Sequence, residues 1–92
     1  MNKVDSILWV ERLREALRKL PEDAQVFAWD LRWSDEHPDG KVISIHLSAP
    51  IKWTAIFDGR DYGTWTEKRI AVTPHAVAWW SVNKGADDGQ EG

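Results

Sequence analysis

The sequence predicts an α+β domain: an N-terminal amphipathic helix packed on a three- to four-stranded antiparallel β-meander, then a short C-terminal helix and a disordered acidic tail. Three observations carry this. Residues 5–20 repeat apolar side chains at a helical period, residues 25–57 hold three runs that alternate at period two, and Thr73-Pro74 with Gly85 bounds a last segment in the way helices are bounded.

Taken in order, DSILWVERLREALRKL (5–20) places Trp9, Val10, Leu13, Ala16, Leu17 and Leu20 on one side and Glu11, Arg12, Arg14, Glu15, Arg18 and Lys19 on the other. Asp5 or Ser6 is the expected cap, Arg18 and Lys19 suit the C-terminal end of the dipole, and Pro21 stops the helix. The central hairpin follows. Phe27, Trp29, Leu31 and Trp33 alternate with Ala28, Asp30 and Arg32, while Ile43, Ile45 and Leu47 alternate with Ser44, His46 and Ser48. Between them, Pro38 and Asp39-Gly40 signal the turn. IKWTAIF (51–57) alternates again and reads as a third strand, DGRDYG (58–63) as a turn with two glycines, and 64–72 as a strand whose alternation slips near Glu67, implying a bulge or an irregular edge strand. Thr as N-cap, Pro at the first helical position and Gly past the end make 74–84 a short helix, with a strand as the alternative because Val77, Trp79 and Trp80 favour sheets. The expected organisation is one domain over 1–84 and a disordered tail over 85–92.

Composition narrows the function classes. Ninety-two residues suit one small core, and the seven Trp, against two Phe and one Tyr, carry it. Without cysteine there is neither a disulfide framework nor a thiolate metal site. The first twenty residues hold no apolar run of signal-peptide length and no stretch approaches a membrane span, so the expectation is a cytoplasmic chain that does not enter membranes. The net charge of -3 resides in the tail: removing Asp87, Asp88 and Glu91 from fifteen acids leaves twelve, matched by twelve Lys and Arg. A neutral body lacks the clustered cations of a direct nucleic-acid binder.

Chemical motifs are missing. Asp35, His37, Asp39 and Gly40 imitate the start of a calcium loop, but His46 stands where the bidentate Glu belongs. His37, His46 and His75 have no metal-ligand spacing, and there is no nucleophile elbow, phosphate loop or dinucleotide fingerprint. The chain therefore reads as non-enzymatic, without catalytic residues, cofactor or metal.

Two binding features stand out. In a meander the first and third turns emerge at the same end of the sheet, which would gather Asp35, Glu36 and Asp39 beside Asp58 and Asp61, with Trp33 at the base as an apolar anchor. Trp9, Trp29 and Trp53 fall on expected buried faces, whereas Trp65, Trp79 and Trp80 are candidate exposed anchors. The leading expectation is a protein–protein interaction module for a partner with a basic surface, with homodimer formation also open. In size and style the chain is similar to inhibitors encoded by phages and mobile elements that block a host nucleic-acid-binding complex. That likeness implies acidic loops occupying Lys and Arg that normally hold phosphate. The alternative is a small-ligand or carbohydrate binder that uses Trp65, Trp79 or Trp80 as a stacking platform.

Overall fold

The computed structural model describes residues 1–83. One helix, α1 (Lys3–Lys19), is followed by five strands: β1 (Val26–Trp33), β2 (Lys41–Leu47), β3 (Phe57–Asp61), β4 (Trp65–Thr73) and β5 (Ala76–Asn83). The tail expected to be disordered lies outside the described residues.

The helix begins one turn earlier than Asp5, because Asn2 is the cap: its side-chain oxygen accepts the Asp5 N–H at 2.8 Å. Only Trp9, Leu13, Ala16 and, at the C-terminal cap, Leu20 are buried, a narrower stripe than the apolar pattern suggested. Val10 and Leu17, expected on the inner face, are exposed, as are Val4, Ile7 and Leu8 in the first two turns. A helix lying across a sheet touches it along one line, so residues roughly 60–90° off that line face solvent even when apolar.

The sheet order is β1-β2-β5-β4-β3. It consists of a β1–β2 hairpin and a β3–β4–β5 meander joined by a parallel pairing of β2 with β5, where Ile43 stands opposite Ala76 and His46 opposite Trp79. The fold is thus α+β with a helix on a sheet, but the sheet is mixed and five-stranded rather than a three- to four-stranded antiparallel meander. The C-terminal helix is also corrected: residues 76–83 are β5. Thr73 and Pro74 explain the ambiguity. The Thr73 hydroxyl accepts the His75 N–H at 3.1 Å, a bond that serves equally well at a helix start or in a tight turn, and the φ of Pro suits both. Burial decides the outcome: Ala76, Ala78 and Trp80 point into the core as one strand face.

The third strand is displaced as well. Residues 51–56 form an irregular crossover, with Ile51 and Trp53 packed against the core, and the strand lies over the supposed turn DGRD. Its glycine has a strand role. β3 bulges between Asp58 and Arg60, and a Cβ on Gly59 would collide with the side chains of Glu67 and Arg69, which lie across it. The turn glycines are Gly40 and Gly63, with φ of 69° and 89°.

The core fills the space between α1 and one sheet face. Ile43, Ile45, Leu47 and Ile70 are almost wholly buried, each contributing roughly 1.5–3 kcal/mol on burial. Arg12 ties the helix to the first hairpin: its guanidinium donates to Asp39 at 2.9 Å and lies 4.6 Å from the Trp9 ring centroid, while His75 meets the Trp9 ring edge-on. No described helix is long and apolar enough to cross a membrane.

Candidate functional site

With α1 on one face of the sheet, the other face is left without a helical cover. Strand alternation decides what it carries. On β2 and β5 the inward residues are Ile43, Ile45, Ala76, Ala78 and Trp80, so Val42, Ser44, His46, Val77 and Trp79 point outward. The registers of β4 and β3 add Trp65, Glu67, Arg69, Phe57 and Arg60. One row of neighbours crosses the whole sheet: Ala28, His46, Trp79, Arg69 and Phe57. Phe27, displaced by the bulge at the start of β1, joins this row edge-on to His46.

The aromatic groups here are held in place. His46 stacks on Trp79 with centroids 3.9 Å apart and planes 2° from parallel, and the Trp79 Nε1–H donates to Ser44 Oγ at 3.0 Å. Tyr62 stacks on Trp65 at 4.0 Å, with the Arg60 guanidinium 5.9 Å from the Tyr62 centroid. Ring stacking and a fixed indole bond restrict the rotamers before anything binds.

A groove of about 360 Å³ runs over this face. Its floor includes Trp79, Glu67 and Arg69, Arg60 and Tyr62 stand on the β3 side, and Asp35 and Glu36 form the opposite rim. The rim comes from the β1–β2 turn. Within it the Gly40 N–H donates to the His37 carbonyl at 2.9 Å, and Ser34 Oγ lies 2.6 Å from His37 Nδ1.

The acidic end expected of a meander does not form as such. Because β5 runs parallel to β2 and antiparallel to β4, the β1–β2 and β3–β4 turns lie at opposite ends of the sheet. Asp61 sits at the far end, where it accepts the Gly63 N–H at 2.8 Å. Asp39 is engaged by Arg12 and lies 3.6 Å from His75 on the helix side, and Asp58 accepts from Lys68. Asp35 and Glu36 alone of the five-acid group, with no ion pair among the described residues, reach the groove, and Glu36 also borders a depression next to Asp58.

The tryptophans divide differently from the expectation. Trp80, a candidate anchor, is 4% exposed in the core, and Trp29, expected inside, is 52% exposed on the edge strand. Trp33 is 84% exposed, and its register opposite Lys41 sets it on the helix side of β1 with Leu31, the Lys41 ammonium lying 5.5 Å from its ring centroid. Trp65 and Trp79 are half-buried. Sequence reasoning missed Arg60, Tyr62, Glu67 and Arg69. The slip of alternation near Glu67 was the one local sign that polar side chains there face outward over a bulged neighbour. Among the described residues no group of His, Asp and Glu converges as a metal site. No protein-family model, curated protein or solved structure matches the chain.

Proposed function

We propose that the chain is a non-enzymatic protein-binding module that presents the helix-free face of its sheet to a partner. One observation carries this reading: Trp, Tyr and Arg side chains, the types that dominate binding energy at protein interfaces, surround one solvent-open groove in the arrangement of Tyr62, Trp79, Arg32, Arg60 and Arg69. The rim adds polarity. Asp35 and Glu36 favour a partner with basic residues, which they would steer and orient, while Tyr62 and Trp79 supply apolar area. An inhibitor that occupies Lys and Arg of a nucleic-acid-binding complex is one partner class consistent with this rim.

A small-ligand reading has the groove volume in its favour, since about 300–1,000 Å³ is usual for ligand pockets. Against a stacked sugar, one face of Trp79 is covered by His46 and one face of Trp65 by Tyr62, and Trp80 is buried.

The test compares immobilised wild type with Tyr62→Ala and with Asp35→Lys/Glu36→Lys in capture from native lysate, folding being checked by circular dichroism. A stoichiometric partner that weakens with salt and is lost at least about tenfold with both variants supports the reading. Equal capture by the variants, or no partner together with a tryptophan emission shift on a metabolite panel, would sink it.

A further inference from the structure

The first edge of the sheet carries a pattern that complements itself. β1 is an outer strand, so one side of its backbone ladder has no neighbour among the described strands. Which residues offer that side follows from the hairpin. The Ser34 N–H donates to the Gly40 carbonyl at 3.0 Å, marking Ser34–Gly40 as a bonded pair. Bonded and non-bonded pairs alternate in an antiparallel ladder, so Arg32, Asp30 and Ala28 bond to β2. The N–H and C=O groups of Trp33, Leu31 and Trp29 therefore point out of the sheet edge. Sheets commonly block such an edge with proline, lysine, a bulge or extreme shortness. From Ala28 to Trp33 β1 has none of these, and Trp29 and Trp33 are among its exposed residues.

We propose that β1 pairs antiparallel with β1 of a second copy of this chain, about a two-fold axis through Leu31 and normal to the sheet. The sequence Trp29-Asp30-Leu31-Arg32-Trp33 reads onto its own reverse at this axis. Leu31 faces the partner's Leu31 as a bonded pair, and Trp29 faces the partner's Trp33. Asp30 faces the partner's Arg32, and Arg32 faces the partner's Asp30. Within one strand, Arg32 Nε already donates to both Asp30 oxygens at 3.1 Å, so both side chains share the helix-free face. The dimer extends that pair into a square of alternating charges.

Other registers fare worse. Bonded pairs must join outward-facing residues, which excludes odd shifts. An axis at Asp30 sets it against the partner's Asp30, an axis at Arg32 sets two guanidinium groups opposite each other, and like charges directly opposite destabilise a sheet. Axes at Trp29 or Trp33 lose either the charge pairing or most of the overlap. The axis at Leu31 satisfies both charges of each strand, and a closed two-fold dimer leaves neither copy of this edge open. The result is a continuous ten-stranded sheet with both helices on one side and both grooves on the other.

Charge variants with defined complementarity provide the test. Sedimentation velocity of the wild type, of Asp30→Arg, of Arg32→Asp and of their equimolar mixture reads the association. The wild type is expected to dimerise, and each single variant, which sets only like charges opposite one another, to dissociate at roughly tenfold or more higher concentration. The mixture restores complementary pairs and is expected to form a heterodimer, and the double variant Asp30→Arg/Arg32→Asp to recover the homodimer. A wild type that stays at 10.6 kDa up to about 1 mM would overturn the proposal. So would single variants that dimerise as the wild type does, or a mixture that fails to associate while the wild type dimerises.

Discussion

The two edges of the sheet solve the same physical problem in opposite ways. β3 is five residues long, bulges at Gly59 and carries Asp58 bound to Lys68, so its ladder is short, bent and charged. β1 is eight residues long, regular from Ala28 to Trp33, and lined with Phe27, Trp29 and Trp33, which are 71%, 52% and 84% exposed. An outer strand left open and apolar invites pairing, and in β1 the invitation is specific because the charges match only at one axis. The difference teaches that the exposed tryptophans of β1 are not misplaced core. Trp80, on a central strand, is core, and the same residue type serves different ends according to its place in the sheet.

Three further substitutions separate these roles, and the largest effect belongs to the centre. Trp80→Ala removes a side chain buried in the core cluster that includes Ile45, Leu47 and Ile70, and is expected to cost about 3–5 kcal/mol by urea denaturation. A cost below about 1 kcal/mol would mean that the sheet centre is not packed as described. Next is the guarded edge. Gly59→Val forces a branched side chain against the Glu67 carboxylate and the Arg69 stem, and an expected loss of roughly 1–3 kcal/mol would appear as a lower urea midpoint with unchanged slope. An unchanged midpoint would deny the close approach that shapes β3. The smallest effect belongs to the open edge. In the Asp30→Arg background, where pairing between copies is removed, Trp33→Ala is expected to shift stability by no more than about 0.5 kcal/mol. A large loss there would place Trp33 in the fold rather than at an interface.

Much of the fold was legible locally. The helix and the first hairpin follow from periods of 3.6 and 2 in uninterrupted runs, and the structure departs from those expectations by a few residues at the ends. β4 was legible in extent, at 64–72 against Trp65–Thr73, but it lies inside the sheet between β5 and β3 rather than at an edge. Two segments were not. Ile51, Trp53, Ala55 and Phe57 alternate as a strand does, yet residues 51–56 cross over the core irregularly, and FDGRD, with a turn's composition, pairs with β4. Alternation records which residues are apolar, and a crossover that packs on the core needs the same apolar residues as a strand. Thr73-Pro74 offered the same hydroxyl bond to a turn as to a helix cap, so nothing local could separate them.

The candidate site was less legible than the fold. Asp35 and Glu36 were identified, and the structure brings them to one groove, but Asp39, Asp58 and Asp61 were grouped with them, and with Trp33, through a meander from β1 to β4 that the sheet order does not contain. The other wall of the groove, Arg60 and Tyr62, belongs to a strand that the sequence presents as a turn.

By itself the sequence determined the helix, the hairpin, the neutral body with its acidic tail, and the complementary order of charges between Trp29 and Trp33, because each is a property of neighbours along the chain. Tertiary structure alone decided the parallel pairing of β2 with β5. That pairing joins segments about thirty residues apart through backbone bonds that any side chains permit, and the choice rests on how Ala76, Ala78 and Trp80 fit beneath the helix. From that one contact follow the separation of the two hairpin turns, the burial of Trp80 and the groove on the helix-free face.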